Sequence, residues 1–314
     1  MKGVLVFLVL LLLLTGLPAA AQQDRTRSPV IDMHMHAHHV PLPLQPGAPP
    51  PCLPRPCVPE GEATATAEES LRKTLEAMDR YNIVKGFLSS AELDVVYAWV
   101  EAAPNRFIAA PFIVEPGELS VEMLRQEYQQ GRLAGMGEIG SQLVGVPPND
   151  SRLAAYFELA AEFGVPVLVH TEGIGPPLPG FRTAAGSPLL LEDVLVRHPD
   201  LKVFVENSGY PFLDEMTAMM YQYPNLYGDL STITWVIPRP AFHRYLNALV
   251  GAGLDKRLMF GSDQMRWPEK IGKAIEAIEE ADYLTEEQKR DILYNNAARF
   301  LGLSEEEIAR HHGR

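Results

Sequence analysis

Eight short apolar runs, rich in β-branched residues, alternate with eight amphipathic helical stretches along nearly the whole chain. The strand-like runs are Val30–His34, Val84–Leu88, Phe107–Phe112, Gly135–Ile139, Val167–His170, Lys202–Glu206, Leu226–Asp229 and Leu258–Phe260. The helical stretches follow them at Ala67–Tyr81, Ala91–Ala103, Val121–Gly131, Arg152–Phe163, Pro188–Arg197, Phe212–Tyr223, Pro240–Val250 and Pro268–Ala281. An apolar run with little polar alternation reads as a strand buried on both faces, as in parallel sheets. Parallel neighbours need a long crossover, and each gap supplies a helix for it. Eight such units predict an α/β fold, a closed parallel (β/α)8 barrel of the TIM type. The rival, an open doubly wound sheet, lacks the Gly-rich phosphate turn after its first strand. Two further C-terminal helices are announced by the capping pairs Thr285 with Gln288 and Ser304 with Glu307. With 314 residues and 46% hydrophobic content, the chain suffices for one large core. Residues 22–314 therefore read as a single barrel domain.

The first 21 residues read as a secretion signal rather than as part of that core. Lys2 supplies the positive start, Val4 to Leu14 the apolar stretch, and Ala19-Ala20-Ala21 the cleavage site before Gln22. The run is short for a membrane span, and a retained anchor is the alternative reading. Export to a periplasmic or extracellular space is expected, with no membrane attachment after cleavage. Losing Lys2 takes the formal charge from −13 to −14. Such acidity disfavours nucleic acid as a partner, since nothing offsets phosphate repulsion. Cys52 and Cys57 are expected to form one local disulfide in an oxidising compartment. A zinc site with His38 and His39 is the alternative, though its spacing fits no familiar zinc motif. Both cysteines lie in a Pro-rich loop, 37–62, over the end of the first strand.

In a barrel the chemistry sits at the C-terminal ends of the strands. The first strand runs into Asp32-Met33-His34-Met35-His36, and an extended chain projects i and i+2 to one side. His34 and His36 would thus stand side by side. Strand four ends in Glu138, strand five in His170, strand six in Glu206-Asn207, strand seven in Asp229, and strand eight runs into Asp263. Imidazoles and carboxylates converging on one point are the donors a divalent metal requires. His198, His243, His311 and His312 fall on helices, helix ends or the tail.

These residues carry a resemblance. The chain resembles the amidohydrolase superfamily, specifically the amidohydrolase-related metal-dependent hydrolases, from about Val30 to Leu301. The motifs are Asp32-Met-His34-Met-His36, Gly137-Glu138-Ile139-Gly140, Pro166-Val-Leu-Val-His170, His198-Pro-Asp-Leu-Lys-Val, Gly209-Tyr210-Pro211, Phe260-Gly-Ser-Asp263 and Asn295-Asn-Ala-Ala-Arg-Phe-Leu301. The resemblance implies that His34, His36 and His170 bind a metal. It makes Asp263 a further ligand or the general base that takes a proton from the attacking water. The related hydrolases carry a histidine at the end of strand six, where this chain has Asn207. Three readings follow: one metal with Asn207 donating to the substrate oxyanion, Glu206 in the histidine's place through a bulge, or lost catalysis. Glu138 would be an additional ligand or a hydrogen-bonding wall, and Asp32 would support the imidazoles from behind.

For the substrate, Arg182 would meet a carboxylate, while Tyr210, Trp235, Arg266 and Trp267 follow barrel strands and would form a wall. The expected activity is hydrolysis of a small amide, lactone or ester. A non-hydrolytic decarboxylase and a non-catalytic binding barrel are the rivals. The expected cofactor is one divalent ion, zinc before manganese or iron, and the expected partner a small carbonyl compound. A homodimer is compatible with all of this.

Overall fold

The computed structural model describes residues 27–38 and 50–313. The signal segment, its cleavage site and His39 lie outside the described residues. Eight parallel strands appear: β1 (Val30–His36), β2 (Ile83–Ser90), β3 (Phe107–Pro111), β4 (Met136–Ile139), β5 (Val167–Val169), β6 (Val203–Val205), β7 (Leu226–Asp229) and β8 (Leu258–Met259). They pair in chain order as β1-β2-β3 and β4-β5-β6-β7-β8. The two sections join through a parallel bridge between Ile113 and Ile139. At the other seam Met33 N–H donates to Phe260 O at 2.8 Å, and Asp263 N–H to His34 O at 2.8 Å. The sheet thus closes into the expected barrel.

The outer helices are α1 (Ala67–Arg80), α2 (Leu93–Ala102), α3 (Val121–Gln129), α4 (Ala154–Phe163), α5 (Glu192–Arg197), α6 (Leu213–Gln222), α7 (Ile233–Val236), α8 (Arg239–Gly251) and α9 (Lys270–Glu279). Beyond them come α10 (Glu286–Arg290), α11 (Asn296–Leu301) and α12 (Glu305–His311). Both anticipated capping boxes form, at Thr285 and Ser304. The short α7 and α11 are additions to the sequence reading. Among the described residues no helix is long and apolar enough to cross a membrane.

The strands depart from regularity where the polar residues sit. β1 shifts register against β2 between Asp32 and Met35. Below that bulge Ile31 and Met33 join the inner core with Phe87, Leu168, Phe204 and Met259, while Met35 above it packs in the outer layer. The one-residue phase change turns His34 and His36 inward at the top of the same strand. β4 has a similar shift between Met136 and Ile139, around Glu138. The floor is plugged by aromatic contacts: Phe204 meets Phe87 edge-on at 5.2 Å and Phe300 of α11 at 5.5 Å.

Cys52 and Cys57 are joined by a disulfide. The loop that carries them is tied over the barrel's C-terminal end, with Leu53 N–H on Val236 O at 2.8 Å and Thr64 N–H on Arg266 O at 2.9 Å.

Gly137 sets the path of β4 into Glu138. Its φ is +88°, and a Cβ there would lie 2.2 Å from Leu168 O. Gly137→Ala should therefore lower stability by more than the roughly 1–2 kcal/mol of the left-handed backbone alone. Gly251→Ala, in the open last turn of α8 with nothing within 4 Å, should be neutral or stabilising by up to about 1 kcal/mol. Urea midpoints would compare the two, and equal effects would contradict the role given to Gly137.

Candidate metal centre

The bulge in β1 brings the two imidazoles together. His34 Nε2 lies 3.1 Å from His36 Nε2. Each Nε2 also lies 3.1 Å from Glu138 Oε2. Asp263 Oδ1 completes this corner, 3.1 Å from His36 Nε2 and 3.9 Å from His34 Nε2. The outer ring nitrogens are held from behind. His34 Nδ1 faces Ser231 Oγ at 2.8 Å and Asp229 Oδ2 at 3.2 Å, and His36 Nδ1 faces Ser89 Oγ at 3.2 Å. A proton on each Nδ1 satisfies these partners and leaves both Nε2 lone pairs aimed at one point.

A second corner adjoins the first through Glu138. Its Oε1 lies 2.7 Å from His170 Nδ1, and Glu206 Oε2 presses against the same nitrogen. Glu138 thus gives one oxygen to the His34–His36 pair and the other to His170. Glu206 reaches His170 by the regular alternation of β6, two residues after the inward Phe204, and the backbone kinks directly after it, with φ of +52° at Asn207 and +47° at Ser208. The kink turns Asn207 elsewhere. Its Nδ2 donates to Glu172 Oε2, to Thr232 Oγ1 at 2.9 Å and to Glu206 Oε1 at 3.3 Å, and its Oδ1 accepts from Ile233 N–H at 2.9 Å. The expected oxyanion donor is therefore a strut between the β6 and β7 loops, with its amide engaged at both ends.

Glu172 belongs to the same cluster and escaped the sequence reading. It is buried, with Oε1 3.5 Å from His170 Nε2. Its spacing of two residues from His170 was an available signal, masked by the Gly/Pro-rich run that follows. Gln264 brackets the β1 end, accepting from His36 N–H at 3.1 Å and donating to His36 O at 2.8 Å. Asp32 sits behind the pair, accepting from His34 N–H at 3.1 Å and Ser262 N–H at 2.9 Å.

The electrostatics couple three imidazoles to four carboxylates. Glu138, Glu172, Glu206 and Asp263 are all buried with three imidazoles. Burial alone would lower His36, but Asp263 and Glu138 carry it up to about 9. Burial opposes protonation of His34 and His170 too, yet their carboxylate neighbours hold both well above the usual histidine range. Burial would raise Glu138, but three surrounding imidazoles hold it well below its ordinary range. Burial pushes Glu206 up to about 7, and burial with the neighbouring Glu206 charge raises Glu172. Unpaired buried carboxylates are costly, so protons or a cation must neutralise the cluster.

The donor set fits a divalent cation. His34–His36–Glu138, His34–Glu206–Asp263 and Glu138–His170–Glu206 each bring their ligand atoms within 4.8 Å of one another. Asp263 Oδ1, Glu206 Oε2 and His170 Nε2 are buried without an aligned hydrogen bond. Nitrogen and oxygen donors of this kind suit zinc, manganese or iron.

The expected substrate wall is only partly near this centre. Arg182 is exposed and donates to Pro179 O and Phe181 O, both at 2.9 Å, so it fastens its own loop instead of facing the cluster. Tyr210 packs edge-on against Tyr245 at 5.0 Å, as part of the outer layer. Trp235 donates from Nε1 to Ser262 O at 2.8 Å, next to Asp263. Arg266 and Trp267 are buried in the loop after Asp263, where Arg266 donates to Thr64 O at 2.7 Å. Arg266 and Trp235 thus brace the loops around the mouth.

A family model described as Amidohydrolase matches residues 31–303. Protein fluG of Emericella nidulans is 24% identical over 156 residues, which is 45% of this chain and 18% of fluG. The matched region is thus under a fifth of that relative. A solved structure of a probable 2-pyrone-4,6-dicarboxylic acid hydrolase from Acinetobacter baumannii, with citric acid bound, superimposes with a TM-score of 0.62 at 15% identity, covering 87% of this chain and 99% of that one. A dihydroxybenzoic acid decarboxylase from a Polaromonas species, with bound manganese and an inhibitor, gives 0.53 at 16% identity, covering 73% and 85%. At these identities the structural likenesses show a shared barrel fold. The match over 31–303 spans every strand-end residue of the metal centre, and the chain belongs to the amidohydrolase family.

Proposed function

We propose that this protein is an exported, metal-dependent hydrolase acting on a small amide, lactone or ester. The observation that carries this reading is the convergence of His34 Nε2, His36 Nε2, Glu138 Oε2 and Asp263 Oδ1 on one buried point. A divalent ion bound there would lower the pKa of water from 15.7 to about 7 and polarise a carbonyl. His34, His36 and Glu138 would hold the ion, and Ser231, Asp229 and Ser89 fix the imidazoles from behind. Asp263 takes the proton of the attacking water on Oδ1 and passes it to the leaving nitrogen or oxygen. His170, Glu138 and Glu206 offer donors for a second ion, where the Asn207 substitution had suggested a single one. Export rests on the N-terminal signal pattern and agrees with the Cys52–Cys57 disulfide, which persists in oxidising compartments.

Elemental analysis of protein purified without chelator should find two equivalents of divalent metal, and His170→Ala should retain one. One equivalent in both would remove the second site, and none in either would remove the first. Asp263→Asn should keep the fold by circular dichroism and lower turnover by about 10²–10⁴-fold. A panel of esters, lactones and amides should contain the substrate, with no carbon dioxide released from aromatic acids. Carbon dioxide release without hydrolysis would reverse the assignment in favour of a decarboxylase.

A further inference from the structure

A cleft of about 400 Å³ opens at the opposite, N-terminal end of the barrel. Its size falls in the range of small-molecule sites, roughly 300–1,000 Å³. The walls are aromatic and aliphatic: Tyr128 of α3 and Phe163 of α4, whose rings stack at 5.2 Å, with Phe300 of α11 and Leu303 after it. Two lysines complete the lining, Lys85 on β2 and Lys202 just before β6. No acidic side chain lines it, although the chain as a whole carries a net charge of −13, and Glu307 of α12 stands just outside, near Lys85.

Each lysine is anchored through a backbone carbonyl. Lys202 Nζ donates to Phe300 O and sits 5.7 Å from the Phe300 ring centre, and Lys85 Nζ reaches Asn105 O at 3.4 Å. An ammonium has three hydrogens, so each lysine keeps donors for a further acceptor. We propose that this cleft binds an organic monoanion with an apolar body, such as a medium-chain or aryl carboxylate. The lysines would take its head and the aromatic walls its tail. Charge complementarity selects this occupant, since two cations on an apolar recess, with the one carboxylate of Glu307 near Lys85, leave a net positive charge for a single anionic head.

The cleft is connected to the metal centre by secondary structure. Ala134, Pro166 and Lys202 line it, and four residues further along the same segments stand Glu138, His170 and Glu206. At about 3.3 Å per residue, the two ends are roughly 13 Å apart. The inference does not depend on the hydrolase reading, because no residue of the cleft belongs to the metal centre.

Calorimetric titration of the full chain with sodium octanoate tests it. Saturable one-to-one binding is expected, weakened at least about tenfold by Ala134→Phe, which fills the cleft, and by Lys202→Gln. Octanamide, with the same tail and no charge, should bind at least about tenfold more weakly than octanoate. Absence of saturable binding, or equal affinity for the amide, would overturn the proposal. So would octanoate binding that survives both cleft variants and is lost in His170→Ala, which would place the anion at the metal centre. A dimer abolished by Ala134→Phe, with no octanoate bound, would make the cleft a subunit contact and equally overturn it.

Discussion

The carboxylate of Glu138 is the contact on which the rest of the site depends. It is buried at the top of β4 and touches three imidazoles, with Oε2 toward His34 and His36 and Oε1 toward His170. Glu206, the other carboxylate near both corners, contacts one imidazole directly, that of His170, and lies within 4.8 Å of His34 and Asp263. Burial of such a group without positive neighbours would be strongly unfavourable, and its neighbours supply that charge only if protons or a cation are present. The barrel contributes the geometry: Gly137 alone allows the chain to pass Leu168 O closely enough to aim Glu138 inward. Stability of the strand end and function of the centre thus meet at adjacent residues.

The polar groups enter the barrel at irregularities rather than along ideal strands. The register shift after Asp32 lets one strand present Ile31 and Met33 to the floor and His34 and His36 to the mouth. At the end of β6 the left-handed pair Asn207–Ser208 turns Asn207 toward the loop after β7. The regular pleat of β6 sends Phe204 and Glu206 to the inside, so Glu206 faces His170, and the kink after it carries Asn207 away. Residues held in such conformations need support, and Asp229 provides it by accepting from Asn207 N–H at 3.0 Å.

This explains what could be read in the chain itself. Strand and helix order follows from hydrophobic periodicity, so the barrel was legible, as were the disulfide pair and the capping boxes at Thr285 and Ser304. His34, His36, His170 and Asp263 were legible because they end or follow strands, and strand ends in a barrel converge. Glu172 and the place of Asn207 were not, since they depend on loop dihedrals that no periodicity encodes. The same limit applies to Arg182: its position after a Gly/Pro-rich loop suggested a substrate contact, but the local carbonyls of Pro179 and Phe181 capture its guanidinium.

The central claim is that these imidazoles and carboxylates jointly ligate metal. X-ray absorption spectroscopy at the metal edge of the zinc-loaded protein tests it most directly. The account predicts a shell of nitrogen and oxygen donors at about 2.0–2.2 Å with imidazole scattering behind it, and a metal–metal vector of about 3.5–4 Å. A shell of oxygen alone, with no imidazole scattering, would place the zinc elsewhere and contradict it.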